Sequence, residues 1–326
     1  MFKRLSRRIV LITLLSVSAF TVAIGFFSYY WAKRTVLSEF IAVSTNYFQS
    51  SNDLLAQYLN YTGETAKMIA NNPNVAGAVE KPHVSSEVSP LLDSLAYGMN
   101  TDIRGISLYK TDGTIYSLSG MSNLPSLEQL RQEEPIRRFI ESAEPKSMWI
   151  SRYKHLSSYY NYRYGANGTF SYLLKWTDDR GAVSGIMVID LDANRLFGFF
   201  QTDNSIFVQN RLYMLRDGDN LIRSSPGDQA ESLDPDDLGQ LTGSEGKFVS
   251  ADGGRLILYN TIMDSNTKIV ASIPLKQSIS HLSAMKGAVV LLALFSCIGA
   301  ALLAAMLRTS IVRPLSQLYV KMKAIK

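Results

Sequence analysis

The residue types best suited to recognition chemistry crowd into one stretch, Trp149 to Trp176. It holds Trp149, Arg152, Tyr153, Lys154, Tyr159, Tyr160, Tyr162, Arg163, Tyr164, Tyr172, Lys175 and Trp176. Aromatic rings give a pocket its walls, and tyrosine adds hydroxyl donors. A guanidinium can grip a carboxylate through two parallel N–H bonds. Such a set suits a small polar molecule. The same rings would equally serve to cover a sheet and its loops, and residue type alone leaves both uses open.

Catalysis finds no comparable foothold. The three histidines, His83, His155 and His281, have no second ligand at metal-binding spacing, so no metal site is expected. The chain contains neither a P-loop nor a G-x-S-x-G nucleophile elbow. Asp178-Asp179 and Asp234, Asp236 and Asp237 lie beside glycine or proline, which reads as solvated turns. Cys297 is the only cysteine, which excludes an intrachain disulfide and a Cys-based metal site.

The net charge of +5 is divided in a telling way. Residues 1–8 and 308–326 together carry +9 with no acidic residue, whereas the stretch between them carries −4. Each basic segment adjoins an apolar run, Ile9 to Trp31 and Gly287 to Leu307, either of which is long enough to cross a bilayer as a helix. Basic flanks belong on the cytoplasmic side of a span, which accounts for the excess without a nucleic-acid partner. A cleaved signal peptide is the alternative for the first run. That run ends in Tyr29-Tyr30-Trp31, the aromatic belt of a retained span. The resulting topology has two spans, 9–31 and 287–307, held by membrane lipid. Both termini (1–8 and 308–326) are inside and residues 32–286 are extracellular.

Between the spans, residues 33–72 read as a long stalk helix with a seam at Val36, Phe40, Val43, Tyr47, Leu54, Tyr58, Tyr61 and Met68. Such a seam would lie on the chain's own domain or on a second copy in a homodimer. Asn71-Asn72-Pro73 ends it. Period-two, β-branched segments follow. Gly105 to Lys110 leads through Asp112-Gly113 into a hairpin, and a helix is expected over Glu128 to Glu141, with Pro135 a kink or a late start. Strands are expected at Thr169 to Thr177 and Ala182 to Leu191. The same order recurs from Arg211 to Ile273, which makes a weak internal repeat of about 100 residues. The expected class is therefore α+β, with a membrane-distal module at about 73–200 and a membrane-proximal one at about 201–274.

After the second run come Arg313 and Pro314, then apolar residues at Leu315, Leu318 and Met322 in heptad register with Ile311 and Ile325. This spacing predicts a signal-transmitting helix that packs in a parallel bundle, cut short at Lys326.

The long N-terminal helix, the two tandem sheet modules and the closing Ser272-Ile273-Pro274-Leu275 strand resemble a double Cache (tandem PAS-like) sensor ectodomain. Ile311-Val-Arg-Pro-Leu-Ser-Gln-Leu looks like the first helix of a HAMP domain. The whole arrangement is similar to the YesM-type sensor histidine kinases of Gram-positive bacteria. That resemblance implies extracellular sensing of a small molecule or peptide at a bacterial plasma membrane. It also implies a homodimer and signalling to a response regulator. ATP and Mg would belong only to a kinase part outside this chain. A chemoreceptor or a membrane-bound transcription regulator could carry the same front end; a surface enzyme lacks motif support. In Cache receptors for amino acids an Arg near a Trp and a Tyr holds the ligand carboxylate, and an Asp on a later strand holds the amine. The resembling positions are Trp149, Arg152, Tyr153 and Asp190, with Tyr172 and Trp176 as further aromatic walls.

Overall fold

A computed structural model describes every residue except 1, 81–84, 99–102, 153–168, 202–210, 217–219, 224–232, 264, 266, 276–281, 308, 311–313 and 315–326. The chain forms two units, residues 1–43 with 275–326 and residues 44–274.

Helix α1 (Phe2–Ala70) contributes to both. In the first unit it is long and apolar enough to cross a membrane and leaves Phe20, Ile24, Phe27 and Trp31 exposed. The other helix of that unit, here α8 (Leu282–Leu307), likewise exposes Leu291, Leu294, Phe295 and Leu302. The two helices meet through small residues: the Cys297 thiol donates to Ser18 Oγ at 3.3 Å, and Ala300 is buried. Small side chains let helices approach closely.

In the second unit α1 ends at Ala70, and α2 (Pro73–Glu80) begins at once. The proline that stops one helix starts the next, because its missing N–H is unneeded in a first turn. Helix α3 (Val88–Gly98) leads to the first sheet. The sheet comprises β1 (Ile103–Lys110), β2 (Ile115–Ser117), β3 (Ser147–Arg152), β4 (Thr169–Thr177) and β5 (Val183–Asp192). All pairings are antiparallel in the order β2-β1-β5-β4-β3. Between β2 and β3 the expected helix is broken into α4 (Leu127–Leu130) and α5 (Glu134–Glu141). Ser126 and Gln129 close a capping box on α4, and Pro135 sits in the first turn of α5.

A short helix, α6 (Ala193–Gly198), precedes the second sheet. Here β6 (Arg211–Arg216), β7 (Asn220–Arg223), β8 (Glu245–Val249), β9 (Arg255–Thr261) and β10 (Thr267–Pro274) run in the order β7-β6-β10-β9-β8. This is the order of the first sheet repeated, as the sequence repeat requires. Helix α7 (Pro235–Gly239) precedes β8 as α5 precedes β3.

The first sheet is covered on both faces. On one, Leu127, Ile136, Phe139 and Ile140 of α4 and α5 pack on Ile150, Leu173, Ile186 and Val188. On the other lie α1 and α2. Gly185 permits that approach, since a Cβ there would sit 2.9 Å from Val79 Cγ1. Helix α1 buries Phe48, Leu55, Leu59, Ala66 and Ile69, with Phe48 against Phe200 and Tyr58 against Phe199 at ring distances of 5.2 and 5.3 Å. This is not the seam expected from the sequence. Val36, Val43, Leu54, Tyr61 and Met68 of that seam are exposed.

Candidate functional site

Strand alternation decides which residues can meet. Arg152 closes β3 opposite Thr169 of β4, and Ser171 of β4 lies opposite Asp190 of β5. Directly paired residues share a face, so Arg152, Thr169, Ser171 and Asp190 all point toward the α4–α5 side. Their side chains make a buried polar ledge at the edge of the apolar cluster. Arg152 Nη1 is 3.6 Å from Asp190 Oδ1, with the two side chains 6% and 4% exposed. Ser171 Oγ donates to the same Asp190 oxygen, and Thr169 Oγ1 is 3.3 Å from Ser171 Oγ. Arg152 Nη2 is 3.7 Å from Glu133 Oε1.

Glu133 was not legible as a site residue. It is the extended N-cap of α5, so the break between α4 and α5 brings it over the sheet. Pro135, the eighth residue of the helix expected over Glu128 to Glu141, was the available signal.

The ledge therefore sets one guanidinium between two carboxylates. Both distances are ion-pair distances longer than a hydrogen bond. Burying charges in this way is costly unless they are paired. Chemically, the guanidinium can take a carboxylate, and the acids can take an ammonium group.

The remaining predicted residues are distributed differently. Trp149 and Tyr172 are paired across β3 and β4 on the opposite face, toward α1. Trp149 stacks on Phe170 at 5.2 Å and 8°, and tilts against Tyr172 at 4.9 Å. Tyr172 in turn meets Gly63 of α1, where a Cβ would lie 3.5 Å from its ring. Trp176 lies opposite Gly185 on the same face. The three rings thus cover the sheet beneath the helix and do not wall the Arg152–Asp190 ledge. Lys175 has a structural post: its Nζ donates to Phe139 O at 2.8 Å and Ser142 O at 2.5 Å, closing the end of α5, and lies 4.6 Å from the Phe139 ring. Burial lowers its pKa, with Glu144 opposing.

Tyr153, Arg313, Leu315, Leu318 and Met322 lie outside the described residues, as do His83, His155 and His281; Pro314 is described. Among the described residues, no three His, Cys, Asp or Glu side chains come together as a metal site would require.

The expectation of a solvated acidic turn at 234–237 needs correction. Asp234 does cap α7, accepting from Asp236 N at 3.2 Å. Asp237 is instead 1% exposed, with Oδ2 3.9 Å from Arg255 Nη2. Burial raises its pKa, Arg255 opposes, and Asp234, Asp252 and Asp236 add to the rise. On α7, position 237 faces inward while Asp236 is exposed.

No family model matches this chain, and no curated protein does. Solved structures do. The extracellular domain of vpHK1S-Z8, a protein described as a histidine kinase, has a TM-score of 0.52 at 10% identity, covering 76% of this chain and 96% of that one. The ligand-binding domain of the Campylobacter jejuni chemoreceptor Tlp3, in complex with L-norvaline, gives 0.49 at 11% identity, covering 75% and 94%. The extracellular domain of rpHK1S-Z16, also described as a histidine kinase, gives 0.45 at 13%, covering 74% and 92%. The chain shares its fold with the extracellular domain of vpHK1S-Z8.

Proposed function

We propose that this chain is the input half of a two-span membrane sensor of the YesM type, with a double Cache ectodomain that feeds a histidine kinase. Residues 9–31 and 287–307 span the bacterial plasma membrane, 32–286 face outward, and the basic stretch 308–326 begins a cytoplasmic HAMP helix. Within the ectodomain, residues 73–200 form the membrane-distal module and 201–274 the proximal one. The observation that carries this reading is the buried Arg152 between Asp190 and Glu133, at one end of the first sheet, in a fold shared with the extracellular domain of a protein described as a histidine kinase.

The ledge suits a small zwitterion whose carboxylate takes Arg152 and whose ammonium takes Asp190 or Glu133. Ligand binds two states of the ectodomain unequally, and the difference shifts their populations. The receptor is a homodimer. Leu54, Tyr61 and Met68 recur every seven residues on the exposed side of α1, a coiled-coil interval that a second copy of the same helix would cover. A response regulator is the downstream partner of the kinase.

The test is thermal shift of the full chain in nanodiscs against amino acids, organic acids and sugars. A zwitterionic compound at a hundred times its Kd should stabilise the wild type by about 2.7 kcal/mol. Arg152→Ala and Asp190→Ala should lose that gain. Equal stabilisation of the variants, or none from any zwitterion, overturns the site.

A further inference from the structure

Ser151 and Arg152 are neighbours on β3, so alternation turns them to opposite faces. Arg152 looks into the candidate ledge. Ser151 looks the other way, and its Oγ lies 2.9 Å from Thr267 Oγ1, with both residues fully buried. Thr267 belongs to the second sheet, where it is the first residue of β10. A hydroxyl pair thus joins the strand that carries the ligand-site arginine to the strand that ends at Pro274, ahead of α8 in the chain.

The two ends of this contact sit differently in their sheets. Among the described residues, strand β3 is at the edge of its sheet and pairs with β4. Strand β10 is held on both sides, by β6 and β9. Thr267 is also fixed to the preceding turn. Its N–H donates to Ser265 Oγ at 3.1 Å, its carbonyl accepts from Ile262 N at 2.8 Å, and Ser265 Oγ donates to Ile262 O at 2.6 Å. A shift of the β3 edge therefore meets a rigid receiver, which moves as a unit with its hairpin.

We propose that the Ser151–Thr267 hydrogen bond couples the Arg152–Asp190 ledge to β10, and so passes the state of the first sheet toward α8. Ser151 and Thr267 are positioning residues that touch no ligand. The proposal rests on the ledge being the sensory site, but its test uses no ligand, so an empty ligand screen and a failed coupling are separate results.

The experiment is hydrogen–deuterium exchange of the full chain in nanodiscs, read at the β10 amides Ile269 to Ile273. Arg152→Ala perturbs the ledge, with Asp190→Asn as the milder variant should the first fold poorly. In the wild-type background either change should speed β10 exchange by at least about fivefold, the low end of coupling between sites. In a Ser151→Ala background, and again in Thr267→Val, the same change should leave β10 exchange at the rate of that background alone. A general loss of stability would raise exchange in both backgrounds. Equal acceleration with and without the hydroxyl pair therefore overturns the proposal, as does a ledge variant that alters β4 and β5 while β10 stays unchanged.

Discussion

Trp149 and Arg152 stand three residues apart on β3 and face opposite sides of the sheet. Trp149 stacks on Phe170 at 5.2 Å, and Arg152 lies 3.6 Å from Asp190. One six-residue edge strand thus serves two environments, an aromatic layer against α1 and a charged ledge beside α4 and α5. Their energetic roles separate accordingly.

Trp149→Ala should act on stability alone. Truncating a buried aromatic side chain removes its transfer energy and leaves a cavity, a loss of about 3–5 kcal/mol. Urea unfolding measures the loss, and any ligand found by thermal shift should keep its rank order against this variant.

Arg152→Met removes the cation 3.6 Å from Asp190, which stays buried beside Ser171. Breaking a buried pair in this way costs about 3 kcal/mol, whereas Arg152→Met with Asp190→Leu should recover most of it. A double-mutant cycle by urea unfolding reads the difference. Additive losses would mean that the pair is not coupled.

Asp112 titrates low, at about 2, held down first by the Thr114 N–H and then by Lys110. Its folded pKa lies below the unfolded value of 3.8. Its contribution is therefore fully present above about pH 4 and lost as pH falls toward 2. The carboxylate is largely exposed, so Asp112→Ala should cost under about 1 kcal/mol at pH 7. The gap from wild type should close near pH 2 in acid melts.

Asp237 behaves in the opposite sense. Its raised pKa means that the folded state holds a proton more tightly than the unfolded chain, so stability falls as pH rises from 3.8 through the folded pKa. Asp237→Asn should raise neutral-pH stability and lose that advantage as pH falls toward 4. Melting temperature against pH checks both the sign and the window.

Tyr61→Glu with Met68→Glu places charge on the exposed seven-residue stripe of α1. The change should convert a dimer of the full chain to monomer in light scattering, while intrinsic stability stays within about 0.5 kcal/mol, as for other surface substitutions.

Much of the fold was legible because β1, β4, β5 and β9 are apolar and aromatic runs set off by Asp-Gly or Asp-Asp turns. Strand β3 was not, since Trp149 and Ile150 are both buried and no alternation marks it. Without that strand, Trp149, Arg152 and Tyr172 looked like one cluster. The face of helix α1 that packs on its own domain was hidden in a related way: it includes Ser44, Ser51, Thr62 and Ala66, small or polar residues that an apolar pattern passes over. Asp190 was placed by a family likeness. Glu133 came from the break between α4 and α5, which in the sequence only Pro135 signalled.

The repeated strand order also sets when each sheet can close. Strand β5 is made last of its five, yet it pairs with β1, joining Gly105 to Asp190 across most of the module. Strand β10 stands in the same relation to β6. Until that last strand arrives, the opening hairpin and the later hairpin of each sheet have no partner, and their apolar faces stay wet. Each sheet is therefore a late-closing, high-contact-order structure whose folding rate is set by loop closure. The segment from Thr267 to Pro274 is, in time as well as in space, the piece that completes the second sheet.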